Sequence, residues 1–484
     1  MIKRPLAMLT VALLSGCVMG PDYQAPELQL PEQYSASLQQ DHKASDVKDW
    51  QAFYLNPQLQ ALIEHALSSN LSLATMQSRL RAAKANLTVT NADRWPELKG
   101  AFGAERTKDS GLTNSGDLYD SSRTLGVTAS WEVDIWGAQR RADQSQWANT
   151  LSTAELLLAA KVSLISEVAT AYYELADIEK RLKISQETAE LRAKELEIAR
   201  LRHQNGVISG LDVRQVQVEY QTAMVNLPQL KFERQQKRNQ LRILLGEYSY
   251  DIEDVSRDAN AQFPESLVAG IPSRLLAQRP DLRASEQQLI AATADVGIAE
   301  AAKLPSFTIT AAYGRESDSL DDLLKARGVA WSLAGGLTAP IFNAGKLDAQ
   351  LTIAQETQQQ ALLAYRSAVL NAYTEVKDGM NDYQRAQQVW IEQRRLLEAS
   401  AAYLRLAQLR YKNGVATSLD LIDAQRNHFT AELALSEAQR DKQLAMITLY
   451  RALGGGVGQQ TAIDLVQADD NESNSSVASS STAN

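Results

Sequence analysis

Two kinds of apolar pattern run along the chain. In residues 125–133, Leu125, Val127, Ala129, Trp131 and Val133 alternate with Gly126, Thr128, Ser130 and Glu132. Residues 307–313 alternate Phe307, Ile309, Ala311 and Tyr313 with small or hydroxyl residues, and 329–337 does the same with Val329, Trp331, Leu333 and Leu337. A fourth, weaker stretch lies around 98–106. Alternation of period two predicts strands with one apolar and one small or polar face. They fall at about 97–107, 123–134, 306–315 and 329–339, and each pair brackets a polar loop, "KDSGLTNSGDLYDSS" or "RESDSLDDLLKARG". The second pattern is helical and very long. Residues 138–205 contain no Gly or Pro, and 346–413 contain one Gly, Gly379. A helix of that length reaches about 100 Å. No globular domain is so tall, so such helices must pack side by side as in coiled coils.

Each long helix stops at an Asn-Gly, Asn205-Gly206 and Asn413-Gly414. Gly just past a helix end supplies the left-handed conformation that closes it. A new helix then starts after Ser209 or Thr417, each followed three residues later by Asp212 or Asp420, an Asp variant of the capping box. The chain therefore contains two antiparallel helical hairpins. Their return helices run to about Gly246 and Gly454, and Pro228 is expected to interrupt the first. The two turns echo one another: over 196–218 and 404–426, ten of 23 positions are identical at an offset of 208. "AYYEL" (171–175) echoes "AYTEV" (372–376) at an offset of 201, a difference of one heptad that a coiled coil can absorb. "RWPELKGAF" (94–102) faces "KLPSFTITA" (303–311). The whole is a tandem duplication.

Composition narrows the function. Aromatics make up only 6% of the 484 residues and the net charge is −9, with no basic stripe to suggest a nucleic acid. His42, His65, His203 and His428 are scattered and cannot join the one Cys in a zinc site. Without a Gly-rich phosphate loop or a nucleophile elbow, the chain is expected to hold no cofactor or metal and not to be an enzyme. The start, "MIKRPLAMLTVALLSGC", has a basic region (Lys3, Arg4) and an apolar run from Leu6 to Leu14, an export signal too short to span a membrane. Leu14-Ser15-Gly16-Cys17 resembles a bacterial lipobox, in which Cys17 would be acylated as the new N-terminus. Val18 rather than Asp follows it, which favours the outer membrane. Acyl chains anchor without spanning. Trp95, Trp136 and Phe342 lie at the strand ends away from the loops, where an interfacial aromatic girdle belongs. With the export signal, this favours a membrane barrel over a soluble sheet. Four strands cannot close one, since known barrels need at least about eight and open edges are not tolerated in lipid. Three copies with twelve strands is one allowed answer.

"CVMGPDY" (17–23), "NPQLQALIEHAL" (56–67), "SWEVDIWG" (130–137), "QRPDLRASE" (278–286), "NGVATSLDLIDAQR" (413–426) and "LYRALGGG" (449–456) resemble the TolC-like outer-membrane factors, in particular the lipoprotein branch serving multidrug efflux. The resemblance implies an α+β homotrimer: a twelve-stranded outer-membrane β-barrel, four strands per protomer, continuing into a twelve-helix periplasmic α-barrel. It implies an acylated extended segment over 17–58, repeats over 59–245 and 273–453, and a small mixed equatorial domain drawn from 30–58, 246–272 and 454–467. Residues 468–484 match nothing and read as a disordered tail. A periplasmic adaptor, an inner-membrane pump and outer-membrane lipid are the implied partners, and the function is a passive exit duct for drugs. A protein-secretion duct is the second transport reading, which the lipobox disfavours. A lipid-anchored coiled-coil adaptor is the rival of another class, and it has no use for four alternating strands.

In that family the two turns form the periplasmic tip where the tunnel closes. The resemblance carries Leu419 and Asp423 to its constriction and gives Tyr411 the role of tying neighbouring hairpins near Asp212. Asp423 has Gln215 as its counterpart in the first repeat and no capping duty, whereas Asp212 and Asp420 serve as caps or gate residues. Ala416 stands where one member of the family has an Arg in this lock, which leaves Arg214 as a candidate substitute.

Overall fold

A computed structural model describes residues 18–28, 30–31, 49–108, 119–249, 275–323, 325, 328–455 and 461–467. The lipobox Cys17, the signal before it and the 468–484 tail lie outside the described residues. We number the helices of two or more turns: α1 (Pro57–Ser69), α2 (Leu71–Ala92), α3 (Ala138–Gln204), α4 (Gly210–Leu244), α5 (Pro280–Ala301), α6 (Lys346–Lys412) and α7 (Ser418–Ala452). The strands are β1 (Glu97–Lys108), β2 (Tyr119–Glu132), β3 (Ser306–Ser317) and β4 (Val329–Thr338).

The repeat is visible in the dimensions. Helices α3 and α6 each have 67 residues, and α4 and α7 each have 35. Both long helices begin at a glycine with positive φ, Gly137 and Gly345. Because they are equally long and start 208 positions apart, "AYYEL" and "AYTEV" stand one heptad out of step. Seven residues make almost two full turns, so the echo repeats a helix face rather than an equivalent level. Helix α4 runs unbroken through Pro228, against the sequence expectation. Packing along α3 holds the helix on both sides of the missing N–H.

Lateral packing sets the order of the helices. Near the sheet α2, α3, α5 and α6 follow one another, and toward the turns α4, α3, α7 and α6 do. The larger of two apolar cores among the described residues belts the middle of α3. There Tyr172, Tyr173 and Leu175 meet Trp50, Phe53 and Tyr54, the ends of α4 and α7, and Ala462 and Val466. The Phe53 and Tyr450 rings stack at 3.9 Å. No described helix is long and apolar enough to cross a membrane.

The strands form an antiparallel meander in the order β1-β2-β3-β4, so among the described residues β1 and β4 are free edges. The register puts Leu98, Phe102, Leu125, Val127, Tyr313, Trp331, Leu333 and Leu337 on one face. All eight are exposed. The opposite face carries Thr124, Thr128, Ser130, Thr308, Thr310 and Ser332. Gly126 and Gly314 face each other across β2 and β3, where a Cβ on either would fall under 3 Å from the neighbouring backbone. At the helix end of the sheet Trp95 and Phe342 are exposed, while Trp136 is half-buried, its indole N–H donating to the Pro305 carbonyl at 2.7 Å.

Candidate functional site

The two turns lie side by side at the end farthest from the sheet. At the first, the Gly206 N–H donates to the His203 carbonyl and the Val207 N–H to that of Arg202; at the second, Gly414 and Val415 do the same to Tyr411 and Arg410. This is the Schellman pattern. Its closing glycines sit at φ 70° and 72° with nothing within 4 Å of an added Cβ, so they are required for backbone conformation rather than for space.

The following caps are complete boxes. Ser209 accepts from the Asp212 N–H and donates its own N–H to Asp212 at 3.0 Å; Thr417 and Asp420 repeat this, at 2.8 Å. Hydrogen bonds from the Ser209 and Ser418 hydroxyls and the Ser209 N–H hold the Asp212 carboxyl below the usual carboxylate range. The backbone N–H and hydroxyl of Thr417 do so for Asp420. Folded values below the ordinary one mean that both caps are charged at neutral pH. Their contribution is lost only as the pH falls through those depressed values.

Several bonds tie one hairpin to the other. The Ser418 hydroxyl donates to Asp212 at 2.7 Å, and the Arg202 guanidinium donates to the Tyr411 hydroxyl at 3.2 Å. Arg214, the candidate substitute, instead donates to Gln217 on its own helix at 2.8 Å. About two to three turns deeper, buried Arg192 donates to Gln425, which donates to Glu195 at 2.6 Å. Position 202 matches Arg410 and Gln425 matches Gln217 in the repeat. That shared identity was the available signal for these residues, and alternation and capping rules are blind to it.

Asp423 takes no part in the caps. Its carboxylate accepts from Arg426 at 2.9 Å and Asn427 at 3.0 Å, with the Tyr403 hydroxyl at 3.4 Å. With exposed Leu419, Asp420 and Arg426 it lines a cleft of about 650 Å³, whose other wall is Leu211, Arg214, Gln215 and Val218 of α4. The acid carries its own cation. Nearer mid-height, Asp177 is buried and pairs with Arg181 at 2.9 Å and Arg440 at 3.1 Å, and accepts from Ser436 at 2.7 Å. Arg181 also meets Glu437 at 3.0 Å and Glu233 at 3.5 Å, so this cluster joins α3, α4 and α7.

At the other end of α3, Val18 packs on Gly137. Arg141, almost fully buried, donates to the Met19 and Gly20 carbonyls at 2.9 and 3.0 Å and pairs with Asp22 at 2.9 Å. The segment that follows Cys17 is thereby fastened where the helices meet the sheet.

Comparison with known proteins agrees with this architecture. Residues 62–247 and 271–455 match the family model for outer membrane efflux proteins. The cation efflux system protein CusC of Escherichia coli is 31% identical over 451 residues, 92% of this chain and 96% of CusC. The antibiotic efflux pump outer membrane protein ArpC of Pseudomonas putida is 32% identical over 473 residues, 94% of this chain and 95% of ArpC. The open state of the Neisseria gonorrhoeae MtrE outer membrane channel superposes with a TM-score of 0.83 at 30% identity, covering 92% of this chain and all of that one. With two matched halves, each built as short helix, strand pair and long hairpin, the chain belongs to the outer membrane efflux protein family.

Proposed function

We propose that three copies of the chain form an outer-membrane exit duct of a tripartite efflux system. The observation that carries this reading is the sheet: an exposed apolar face, a polar face and two free edges, mounted on helices about 100 Å long. Strand β4, Val329–Thr338, has the roughly 9–11 residues that a tilted transmembrane strand needs, and the other three strands are longer. Free edges close only against neighbouring protomers. A coiled-coil adaptor would have no use for such a sheet. The helical hairpins form the periplasmic tunnel, which docks an adaptor and an inner-membrane pump, and transport requires no catalysis by this chain. CusC is named for cations and ArpC for antibiotics at nearly equal identity, so the family match leaves cargo selection to the pump.

In this reading Cys17 carries the acyl anchor. Arg141 clamps Met19 and Gly20 at the base of the sheet, which supports an anchor acting at the level of the inner leaflet. Cys17→Ser should abolish lipid attachment and leave the barrel able to assemble, because anchor and spanning sheet are separate devices. Metabolic labelling with palmitate checks this, and unchanged labelling of the mutant would refute the assignment.

Leu419 and Asp423 form the narrow mouth, Tyr411 and Asp212 hold the hairpins together there, and Asp420 caps its helix. If three Asp423 carboxylates meet at ~8 Å, each bare pair repels by roughly 0.5–2 kcal/mol. Arg426 beside each acid offsets part of this, so the mouth is a ring of alternating charge. Asp423→Ala should strip the acids, leave the arginines and shift a cation-favouring reversal potential toward anions. The measurement is single-channel current in a planar bilayer under a salt gradient, beside Asp423→Ala/Arg426→Ala, which removes equal and opposite charge and should return the reversal potential toward the wild-type value. Unchanged selectivity in the single mutant would place the carboxylate off the conduction path. Absence of any conductance from the wild-type protein would overturn the duct itself.

A further inference from the structure

The charges of the sheet are sorted by face. Every acid in the four strands (Glu97, Glu105, Asp120, Glu132 and Glu316) lies on the polar face. Arg106, Lys108, Arg123 and Arg315 lie on the opposite, apolar face, and only Lys99 among the strand cations does not. These four cluster at the end of the sheet where Lys108 pairs with Tyr119, away from the helices. In the register Arg106 stands opposite Ser121 and Arg123 opposite Ser317, so Arg106, Arg123 and Arg315 run diagonally across three strands. Diagonal neighbours in a sheet are about 7–8 Å apart. Tyr119 joins them, with the Arg106 guanidinium carbon 5.1 Å and the Lys108 ammonium 5.6 Å from its ring centroid. Immediately below lie Phe102, Leu125, Val127, Tyr313 and Trp331, all exposed.

A cationic row with no acid among the described strand residues of its face is costly on a surface meant for hydrocarbon alone. It is favourable where the apolar band ends against anionic headgroups. Guanidinium groups bind phosphate oxygens in bidentate fashion, and several in a row suit a headgroup bearing more than one phosphate. Resting on the reading of the sheet as part of an outer-membrane barrel with its loops outside, we infer that this rim is a docking surface for the phosphorylated glycolipid of the outer leaflet. Each protomer contributes one such row, its apolar band covering the acyl chains and its cations the phosphates.

The test uses the full-length assembled protein in detergent, loaded with bisphosphorylated lipid A and examined by native mass spectrometry after a fixed delipidation wash. Wild type should retain lipid A at least about tenfold better than Arg106→Gln/Arg123→Gln/Arg315→Gln, while Lys99→Gln on the other face behaves as wild type. Equal retention by the triple variant would overturn the proposal. A comparison that needs no variant runs on wild type alone: lipid A should outcompete its dephosphorylated form and phosphatidylglycerol. Parity with either would also overturn it. Bilayer conductance of the same preparations reports separately on the duct. A conducting triple variant with undiminished lipid A retention refutes the lipid site and leaves the channel reading intact.

Discussion

Asp177→Ala should destabilise the protein by about 3 kcal/mol, at the lower end of the range for removing one partner from a buried ion pair. The carboxylate is 2% exposed and holds two guanidinium groups, those of Arg181 and Arg440. Its removal leaves both cations partly buried, at 17% and 24% exposure, and orphans the Ser436 hydroxyl. Neither arginine is wholly abandoned, since Arg181 keeps Glu437 and Glu233 and Arg440 keeps Asp441 at 2.8 Å. That is why the loss falls short of the upper limit. Asp382→Ala removes an exposed pair with Arg385 and should cost under about 1 kcal/mol. Urea unfolding of the detergent-solubilised protein, followed by helical circular dichroism, compares the two. Equal midpoints would mean that the cluster does not clamp the hairpins. The double replacement Asp177→Leu/Arg440→Leu should recover much of the loss, because paired removal leaves fewer unpaired buried charges.

The second large effect concerns helix length. Deleting seven residues at the same level from each of α3, α4, α6 and α7 should leave trimer yield nearly intact. Deleting three or four should abolish it. At about 100° per residue, a heptad turns the remaining helix by only about −20°, whereas four residues turn it by about +40° and three by about −60°. Buried positions such as Leu182, Ala189, Leu196 and Ala199 on α3 follow heptad-like spacing against α4 and α7. A rotation of 40–60° carries them out of that seam. All four helices must be shortened together, since α4 and α7 lie along the long helices. Trimer yield after membrane extraction, by crosslinking and size exclusion, is the measurement. Equal losses from both kinds of deletion would show that lateral heptad packing does not hold the tunnel together.

What the sequence determined by itself was what depends on neighbours within a few residues. Alternation located the strands, freedom from Gly and Pro predicted the long helices, and Asn-Gly with Ser209/Asp212 and Thr417/Asp420 predicted turns whose caps form as complete boxes. The duplication was legible because it is written residue by residue. The tertiary structure decided what depends on distant partners. Pro228 sits inside an unbroken helix because α3 supports it laterally. Trp136 turns inward to the Pro305 carbonyl. Arg202 rather than Arg214 reaches Tyr411, 209 positions away, and Arg426 accompanies Asp423. The Asp177 cluster joins helices separated by some 260 positions. Pattern in a single strand assigns a face but not its neighbours' register, and only that register collects the cations at one rim. A side-chain hydrogen bond reaches about 3 Å, so its partner is chosen by how whole helices and strands pack, which no local window of sequence encodes.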